Sequence, residues 1–380
     1  MRRALALLLA LLCLPLAARA DECTHSCAYT GSKSSRNVLQ VRNGLYGRGW
    51  SSGVDAPWLR VDAPEGDTIA ALYVCFDRLP DKLAVQAPDG DGWRTVLEPA
   101  PQYLHTLIEL PQPLASVRLA SEGTLSIANM RVFSPGALPG DVQRWQDPPE
   151  KVDLLVLSAH PDDELLFFGG VIPYYAAVKG KAVLVAYMTG ANNERRHELL
   201  DGLWTAGERY YPVIGDFDDQ YFHTLQQAYR RWDRNEVNNY LVKLVRRYKP
   251  EVVVTHDING EYGHGAHKLC ADAMIRLLDR FDDPLYFPQH AVRYGTWSPP
   301  RLYLHLYKQN PVAFDWRQTY EALGGASPLE VARKAFEKHI SQFQMGIYAV
   351  RDDYEYTCAE FGLYNAVEGA PAPADGFFDN

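Results

Sequence analysis

Beyond its first twenty residues, the 380-residue sequence has no apolar run approaching the roughly 20 residues that a transmembrane helix requires. Positive charge is also scarce, because 47 Asp and Glu residues outnumber 38 Lys and Arg and the formal net charge is −9. Acidic proteins are poor partners for nucleic acids and anionic membranes. We therefore expect no nucleic-acid partner and no integral membrane segment in the mature protein.

The first twenty residues differ from the rest. Two arginines precede an apolar run, and a small-x-small pattern ends at Ala20. This combination is typical of a signal peptide, with cleavage expected before Asp21. Removal of residues 1–20 would take three arginines and no acids, so the net charge would change from −9 to −12. We expect a secreted or periplasmic protein.

Cysteine is sparse as well, with five residues after Ala20. Some pairing is expected in an oxidising compartment, and the simplest disulfide joins Cys23 or Cys27 to Cys75, although the sequence leaves the pairing open. Cys23 and Cys27 do not favour a zinc site, because no second Cys/His pair lies near them in the sequence.

Length and patterning predict two domains. Residues 21–140 contain short apolar runs between turn signals and indicate a β-sandwich, jelly-roll-like, that is a possible carbohydrate-binding module. The run from Thr68 to Phe76 is apolar on both faces, as in a doubly buried strand. The alternation slips at Ala128-Asn129, which predicts a β-bulge. A linker rich in proline and glycine, residues 141–150, follows.

From 151 to 365, apolar runs alternate with helical segments, which predicts an α/β Rossmann-like catalytic domain with a mostly parallel sheet. The clearest helix has its apolar residues at helical spacing between Val237 and Tyr248 and stops before Pro250. Another helix is expected near Glu194 to Ala206. Residues 366–380 are expected to form a flexible tail.

Three aromatic residues of the sandwich, Trp58, Trp93 and Tyr103, have flat faces on which sugars can stack. Packing inside the domain is the competing interpretation, and the sequence favours it because aromatic side chains are mostly buried.

Chemically informative residues follow two predicted strands. SAHPDDE comes after the apolar run VDLLVL, and THDINGEYGHGAH comes after EVVV. Ligands gather at the carboxyl ends of the strands in an open parallel sheet, so the two motifs are expected to meet at one edge. Either motif alone is also an ordinary turn or helix start. Their joint occurrence favours catalysis.

The spacing of the ligand types is the strongest signal. His160 and Asp163 are three apart, and a helix starting near Gly263 would turn His264 and His267 to one face. A catalytic zinc site can have two histidines and one aspartate as its protein ligands and keep a fourth position open.

Other groups beside these ligands have separate expected roles. Asp162 is expected to accept a proton from a metal-bound water, and Glu164 is expected to position the loop. His256 and Asp257 are left open as groups that orient a ligand. Three further histidines of this region are expected to be solvated or in the core: His197, His223 and His305.

Together, SAHPDDE, GEYGHGAH and a late RKAFEKHISQF helix resemble the LmbE/PIG-L family of zinc-dependent N-acetylglucosaminyl de-N-acetylases over about Val152 to Phe343. The resemblance implies that zinc, or another divalent metal, is bound by His160, Asp163 and His267. It also implies Asp162 as the general base and His264 as the residue that stabilises the oxyanion.

Further positions follow from the same resemblance. Arg195 or Arg196 would meet the substrate, and the late helix matches the family at His339, Ser341 and Gln342. Many members have GHPDH where this chain has GHGAH, so the aspartate beside the second histidine is missing. The N-terminal sandwich resembles discoidin-like or galactose-binding modules.

The implied function is an exported metal-dependent hydrolase that removes N-acetyl groups from N-acetylhexosamine units of a glycan or glycoconjugate. One alternative is a non-catalytic carbohydrate-binding protein with a degenerate α/β domain. Another is a zinc amidase that acts on a different N-acyl substrate. The sequence does not define the oligomeric state.

Overall fold

The computed structural model describes residues 18–32, 35–53, 57–366 and 376–378. The chain divides into two compact units, the first ending at Arg144 and the second beginning at Trp145. Residues 1–17 of the predicted signal peptide lie outside the described residues. In the part of the chain that is described, no helix has the length and apolar character needed to cross a membrane.

The N-terminal unit is a pair of antiparallel sheets. A five-stranded sheet has the order β1-β3-β8-β5-β6, and a four-stranded sheet has the order β2-β9-β4-β7. Two 3-10 helices, Ser35–Arg42 and Tyr46–Arg48, precede β2. The strands are β1 Ala28–Gly31, β2 Trp50–Ser51, β3 Trp58–Asp62, β4 Ile69–Arg78, β5 Leu83–Asp89, β6 Gly92–Leu97, β7 His105–Leu114, β8 Ser116–Ser121 and β9 Ser126–Phe133.

The core of this unit lies between the two sheets. Leu59 of β3 and Leu72 of β4 belong to one apolar cluster, so the sheets pack face to face as a β-sandwich. The predicted bulge is confirmed, because Cys75 pairs with Asn129 and Phe76 pairs with Ile127, which leaves the intervening residue of β9 unpaired.

The cysteines are arranged differently from the simplest expectation. Cys75 packs with Ala71 and Tyr73 in one apolar cluster, on the face of β4 opposite the core that contains Cys27. The Sγ atoms of Cys23 and Cys27 are 3.8 Å apart. The expected pairing with Cys75 is therefore wrong, because alternation along β4 turns its side chain away from the other two.

The C-terminal unit combines one mixed sheet with helices. Its strands are β10 Leu154–Ser158, β11 Val183–Tyr187, β12 Val213–Ile214, β13 Val252–Thr255, β14 Arg301–His305, β15 Pro311–Ala313 and β16 Glu360–Ala366. Its α-helices are α1 Asp163–Leu166, α2 Asn193–Ala206, α3 Leu225–Arg231, α4 Arg234–Tyr248, α5 Gly265–Leu277, α6 Pro288–Tyr294, α7 Pro328–Phe336 and α8 Ile340–Phe343. A π-helical turn, Pro173–Val178, and 3-10 turns at Glu261–Gly263 and Glu321–Leu323 complete it.

The order of this sheet is β12-β11-β10-β13-β14-β16-β15. The first five strands pair in parallel, whereas β16 runs antiparallel to both β14 and β15. The central strand β10 is buried along its whole length, as a strand covered on both faces must be. The carboxyl ends of β10 and β13 are adjacent, which places the two sequence motifs at one edge.

Two predicted helices are confirmed, and a third is divided. The helices expected near Glu194 to Ala206 and before Pro250 correspond to α2 and α4. The late helix consists of α7 and α8, separated at His339, whose backbone is not helical. In the predicted tail, 367–375 and 379–380 lie outside the described residues, whereas Phe377 is fully buried against Tyr175.

Candidate active site

The loop after β10 is held by its own acidic side chains. Asp162 has a φ of 113°, which residues with a side chain rarely adopt. The buried carboxylate of Glu164 accepts a hydrogen bond from the Asp162 N–H at 2.9 Å and stabilises this turn. Asp163 begins α1, and its Oδ2 accepts the His160 N–H at 2.9 Å. Glu164 thus occupies the position expected of a residue that orients the loop.

Three electron-pair donors from the two motifs meet beside this loop. His160 Nδ1 and His267 Nε2 lie 2.9 and 3.2 Å from Asp163 Oδ2, and the two nitrogens are 3.4 Å apart. All three side chains are buried. Ligand atoms about 2 Å from one cation at tetrahedral angles are separated by about 3.3 Å. The dimensions of this triangle therefore fit a metal ion.

Glu261 joins three histidines behind the triangle. Its Oε2 accepts hydrogen bonds from His267 Nδ1 at 2.8 Å and His256 Nδ1 at 2.9 Å. Its Oε1 accepts one from His305 Nδ1 at 2.6 Å. Burial acts to raise the pKa of Glu261, but His256 and the other histidines outweigh it and hold the pKa well below its usual range. Glu261 is therefore an ionised carboxylate in a fully buried position.

The bond to Glu261 decides which nitrogen of His267 carries hydrogen. An ionised carboxylate only accepts, so Nδ1 donates and the Nε2 lone pair faces Asp163. The Nε2 lone pair of His267 and the carboxylate of Asp163 repel each other unless a proton or a cation lies between them. Burial lowers the pKa of His267, but Asp163 and Glu261 overcome this effect and raise it to about 10. The site therefore favours positive charge at this point, as a metal site must.

His264 lies just before α5 instead of within a helix starting near Gly263. Its Nδ1 accepts the Ala266 N–H at 3.1 Å and caps α5. Burial, together with the nearby His267 and His160, lowers the pKa of His264 to about 2. The ring is consequently neutral, and because Nδ1 is an acceptor, Nε2 carries the hydrogen.

Packing explains why this chain has Gly-Ala between the two histidines of the second motif. The Gly265 N–H donates to the Phe222 carbonyl at 2.6 Å, and a Cβ at Gly265 would collide with the Thr224 carbonyl. Proline has no N–H and would not fit. Ala266 supplies no carboxylate, so the buried acid of this motif is Glu261 instead.

Asp162 lies on the open side of the triangle, beside Arg195. Arg195 Nη2 is 3.1 Å from Asp162 Oδ2, and Nη1 donates to the exposed Asp219 at 3.0 Å. Burial raises the pKa of Asp162 well above its usual range although Arg195 opposes this, and Asp163 and Glu164 raise it further. A proton is therefore held more tightly by Asp162 than by an ordinary carboxylate.

Asp163, the next residue, has the opposite behaviour. Burial would raise its pKa, but His267 and His160 outweigh burial and hold the pKa well below the usual range. Asp163 is thus an ionised ligand candidate, whereas Asp162 is suited to exchange a proton.

A pocket of about 160 Å³ gives access to these groups. Tyr221, with 55% of its surface exposed, stands at its edge and contacts the His264 ring at 4.4 Å between centroids. The lining consists of His160, Asp162, Asp163, Leu166, Arg195, Asp219, Tyr221, Tyr262, His264, His267, Gln342 and Tyr348.

Comparison with known proteins finds a family model that matches part of the C-terminal unit. Residues 155–278 match the PIG-L family, described as GlcNAc-PI de-N-acetylase. The chain is also 28% identical over 178 residues to a 1D-myo-inositol 2-acetamido-2-deoxy-alpha-D-glucopyranoside deacetylase 1 of Catenulispora acidiphila, covering 40% of this chain and 54% of the relative. The C-terminal unit contains a PIG-L/LmbE family domain. The chain spans about half the length of the curated relatives it matches.

Two solved structures are similar to parts of this chain. The N,N'-diacetylchitobiose deacetylase from Pyrococcus horikoshii is 21% identical with a TM-score of 0.38, over 53% of this chain and 74% of that chain. CpGH89CBM32-6, produced by Clostridium perfringens, is 13% identical with a TM-score of 0.26, over 29% of this chain and 95% of that chain.

The PIG-L domain brings together all of the predicted site residues. Of the two candidate arginines, Arg195 lines the pocket, whereas Arg196 lies against Gly190. Gln342 also lines the pocket, and Ser341 bonds to Glu198 through its N–H and Oγ at 2.7 and 2.6 Å. All five predicted catalytic and metal-binding residues line the pocket, namely His160, Asp162, Asp163, His264 and His267.

The four other histidines considered in the sequence lie outside the pocket lining. His256 and His305 are buried on Glu261, and His256 Nε2 also accepts the Ala159 N–H at 3.0 Å. His197 is buried and His223 is exposed beside Tyr221. Asp257, considered with His256 as an orienting group, instead bonds to the Asn259 N–H within its own turn.

Sequence reasoning missed two acids, Glu261 and Asp219. Glu261 stands within the second motif, three residues before His264, so its position was a usable signal. Asp219 lies far from both motifs in the sequence and reaches Arg195 only through the fold.

Proposed function

We propose that this protein is an exported, metal-dependent hydrolase that removes N-acetyl groups from N-acetylhexosamine units of a glycan or glycoconjugate. The observation that carries the proposal is the triangle of His160 Nδ1, Asp163 Oδ2 and His267 Nε2 with the high-pKa carboxylate of Asp162 beside it. The family description and the Catenulispora acidiphila relative, both named for de-N-acetylation of an acetamido sugar, support the substrate class. Export rests on the signal-peptide pattern before Asp21.

The three triangle atoms are the proposed ligands of zinc or another divalent cation. The chemistry that such an ion supplies is polarisation of the acetyl carbonyl and a lowered water pKa, roughly 7. Glu261 keeps His267 in the tautomer that leaves Nε2 available.

Asp162 is the proposed general base. It accepts a proton from the water that attacks the acetyl carbon, and its raised pKa favours holding that proton. When the carbon–nitrogen bond breaks, the leaving amine requires a proton. We assign its donor as Asp162, because the neutral His264 holds only the hydrogen on Nε2.

His264 is the proposed donor to the developing oxyanion. Its capping bond to the Ala266 N–H fixes the ring and commits the hydrogen to Nε2. A neutral N–H held in place before the reaction can stabilise negative charge without reorganisation. The ring need not be protonated for this role.

The test is acetate release from a panel of N-acetylglucosamine and N-acetylgalactosamine oligosaccharides and polymers. We expect release that a chelator abolishes and added zinc restores. An O-acetylated oligosaccharide serves as the matched control for amide over ester hydrolysis.

Two results would contradict the proposal. If the metal-bound protein releases no acetate from any substrate of the panel, the result would point to a different N-acyl substrate. Glycan binding that is indifferent to the chelator, with no acetate released, would point to a binding protein instead.

A further inference from the structure

The outward face of the five-stranded sheet carries an arginine pair that the sandwich core does not explain. Arg60 of β3 and Arg118 of β8 are directly opposite in register. Like charges in such positions destabilise a sheet. Asp62 compensates Arg60 at 2.7 Å, whereas Arg118 has no carboxylate partner among the described residues and its Nε donates to Gln86 at 2.7 Å.

Two tryptophans flank this pair on the same face. The Arg118 guanidinium lies 4.7 Å from the Trp93 ring centre and 5.7 Å from that of Trp58. Arg60 also lies 5.4 Å from Trp93. Both indoles are half-buried and lie outside the core, so the sequence preference for interior packing is wrong for them. Tyr103, the third aromatic candidate, is in the loop before β7 instead.

A cleft of about 600 Å³ lies next to Trp58. Ala84 and Ala120, paired across β5 and β8, are among its lining residues. Trp58 is the residue opposite Ala120 on β3, so the aromatic surface and the cleft meet there. A Lys82–Glu122 ion pair at 2.6 Å lies along the same cleft. Asp81 and Glu98 also line the cleft, so the uncompensated positive charge of this face lies at the arginine pair beside the tryptophans.

We propose that this face binds a polysaccharide segment that contains carboxylate-bearing sugar units. With its Nε occupied by Gln86, Arg118 retains the two terminal nitrogens, which match the two oxygens of a planar carboxylate. Trp58 and Trp93 supply flat apolar surfaces for the adjoining sugar rings. The occupant neutralises the charge that the sheet leaves uncompensated at Arg118. This site is separate from the proposed deacetylase chemistry and is tested without turnover.

The experiment is isothermal titration of the full-length protein with a linear oligogalacturonate and with its methyl ester, which keeps the rings and removes the charge. We expect the acid to bind, the ester to bind about tenfold or more weakly, and affinity for the acid to fall with salt. Arg118→Gln and, independently, Trp93→Ala should each weaken acid binding by about tenfold. Arg118→Lys keeps the charge but loses the pair of terminal nitrogens, so its affinity for the acid should lie between those of the unmodified protein and Arg118→Gln.

Arg94→Gln is the matched control, because Arg94 follows Trp93 on β6 and alternation turns its exposed side chain to the other face. It should bind like the unmodified protein. Equal affinity for acid and ester, or acid binding unchanged in both Arg118→Gln and Trp93→Ala, would overturn the proposal. So would binding to anionic lipid vesicles with none to the oligogalacturonate.

Discussion

On the closed side of the candidate active site, Glu261 accepts hydrogen bonds from three histidines, whereas on the open side Asp162 faces one arginine and the pocket. Both carboxylates are buried, yet their pKa values move in opposite directions: that of Glu261 is held well below the usual range and that of Asp162 is raised well above it. Burial penalises the charged form in both places.

The difference lies in the number of donors that each carboxylate receives. Glu261 uses both oxygens as acceptors, so ionisation is favoured and the side chain serves as a fixed anchor. Asp162 has Arg195 as its partner but also has Asp163 and Glu164 as close negative neighbours. The closed side is therefore built to hold geometry, and the open side is built to exchange a proton.

Replacing Asp162 by Asn should break the open side with the largest effect. Turnover is expected to fall by about 10²- to 10⁴-fold, because Asn cannot accept the proton. Metal content should be unchanged, because the ligand triangle remains. Acetate release measures turnover, and metal analysis measures the bound metal. Asp153→Asn is the matched control, because Asp153 precedes β10 at the opposite end and bonds to Ala182. Retained activity in the Asp162 variant would remove the proposed base.

His264→Asn separates the two roles of His264. Asparagine caps helices well, so the melting temperature should stay close to that of the unmodified protein. Loss of the Nε2–H should lower kcat by about 10²- to 10³-fold with a smaller change in KM. His264→Ala, which also removes the cap, should lose stability in addition. A kcat that survives in the Asn variant would show that the ring serves only as a cap.

Glu261→Gln tests the closed side. The amide keeps one acceptor oxygen but presents N–H groups to histidine donors, so the His267 tautomer is no longer fixed. Metal affinity, measured by competition with a chelator, should fall by about 10- to 100-fold. Activity should recover in part at high zinc. Glu208→Gln is the control, because Glu208 is a buried glutamate of the same unit outside the pocket lining. Equal metal affinity would assign Glu261 a purely structural role.

Much of this arrangement could be predicted from the sequence, and the limits have physical reasons. His160, Asp162 and Asp163 follow one buried strand and His267 another, so parallel pairing of β10 and β13 was enough to place them together. His305 was not predictable in the same way, because its role depends on β14 pairing beside β13. A strand position shows no sign of a hydrogen bond to a carboxylate 44 residues away in sequence.

The outward tryptophans illustrate another limit. A half-buried indole on an outer sheet face and a core indole look alike in an alternating strand. Only the register, which places Arg118 beside Gln86 and Arg60, distinguishes them. The cysteine expectation failed for a similar reason, because the face to which Cys75 points depends on where β4 starts.

Glu208 extends the comparison to a buried carboxylate that has too few donors. Its Oε1 accepts two backbone N–H groups at 2.8 Å, while Oε2 has no partner among the residues described. Burial raises its pKa from 4.5 to about 7. The folded protein therefore binds a proton between these pH values that the unfolded chain releases, so stability falls as pH rises through this window.

Glu208→Gln mimics the protonated form of Glu208, so the variant should not lose stability as the pH rises. At pH 8 the variant should be more stable by about 1–3 kcal/mol, and near pH 4.5 the difference should be small. Thermal unfolding at both pH values measures this stability difference. Glu355 is exposed, so Glu355→Gln serves as a control that should not change the stability at either pH. A stability difference independent of pH would mean that Oε2 gains a partner in solution. Hydrogen-bond donors would then explain Glu208 as they explain Glu261, and of the three carboxylates Asp162 alone would keep a pKa raised by burial and by neighbouring negative charge.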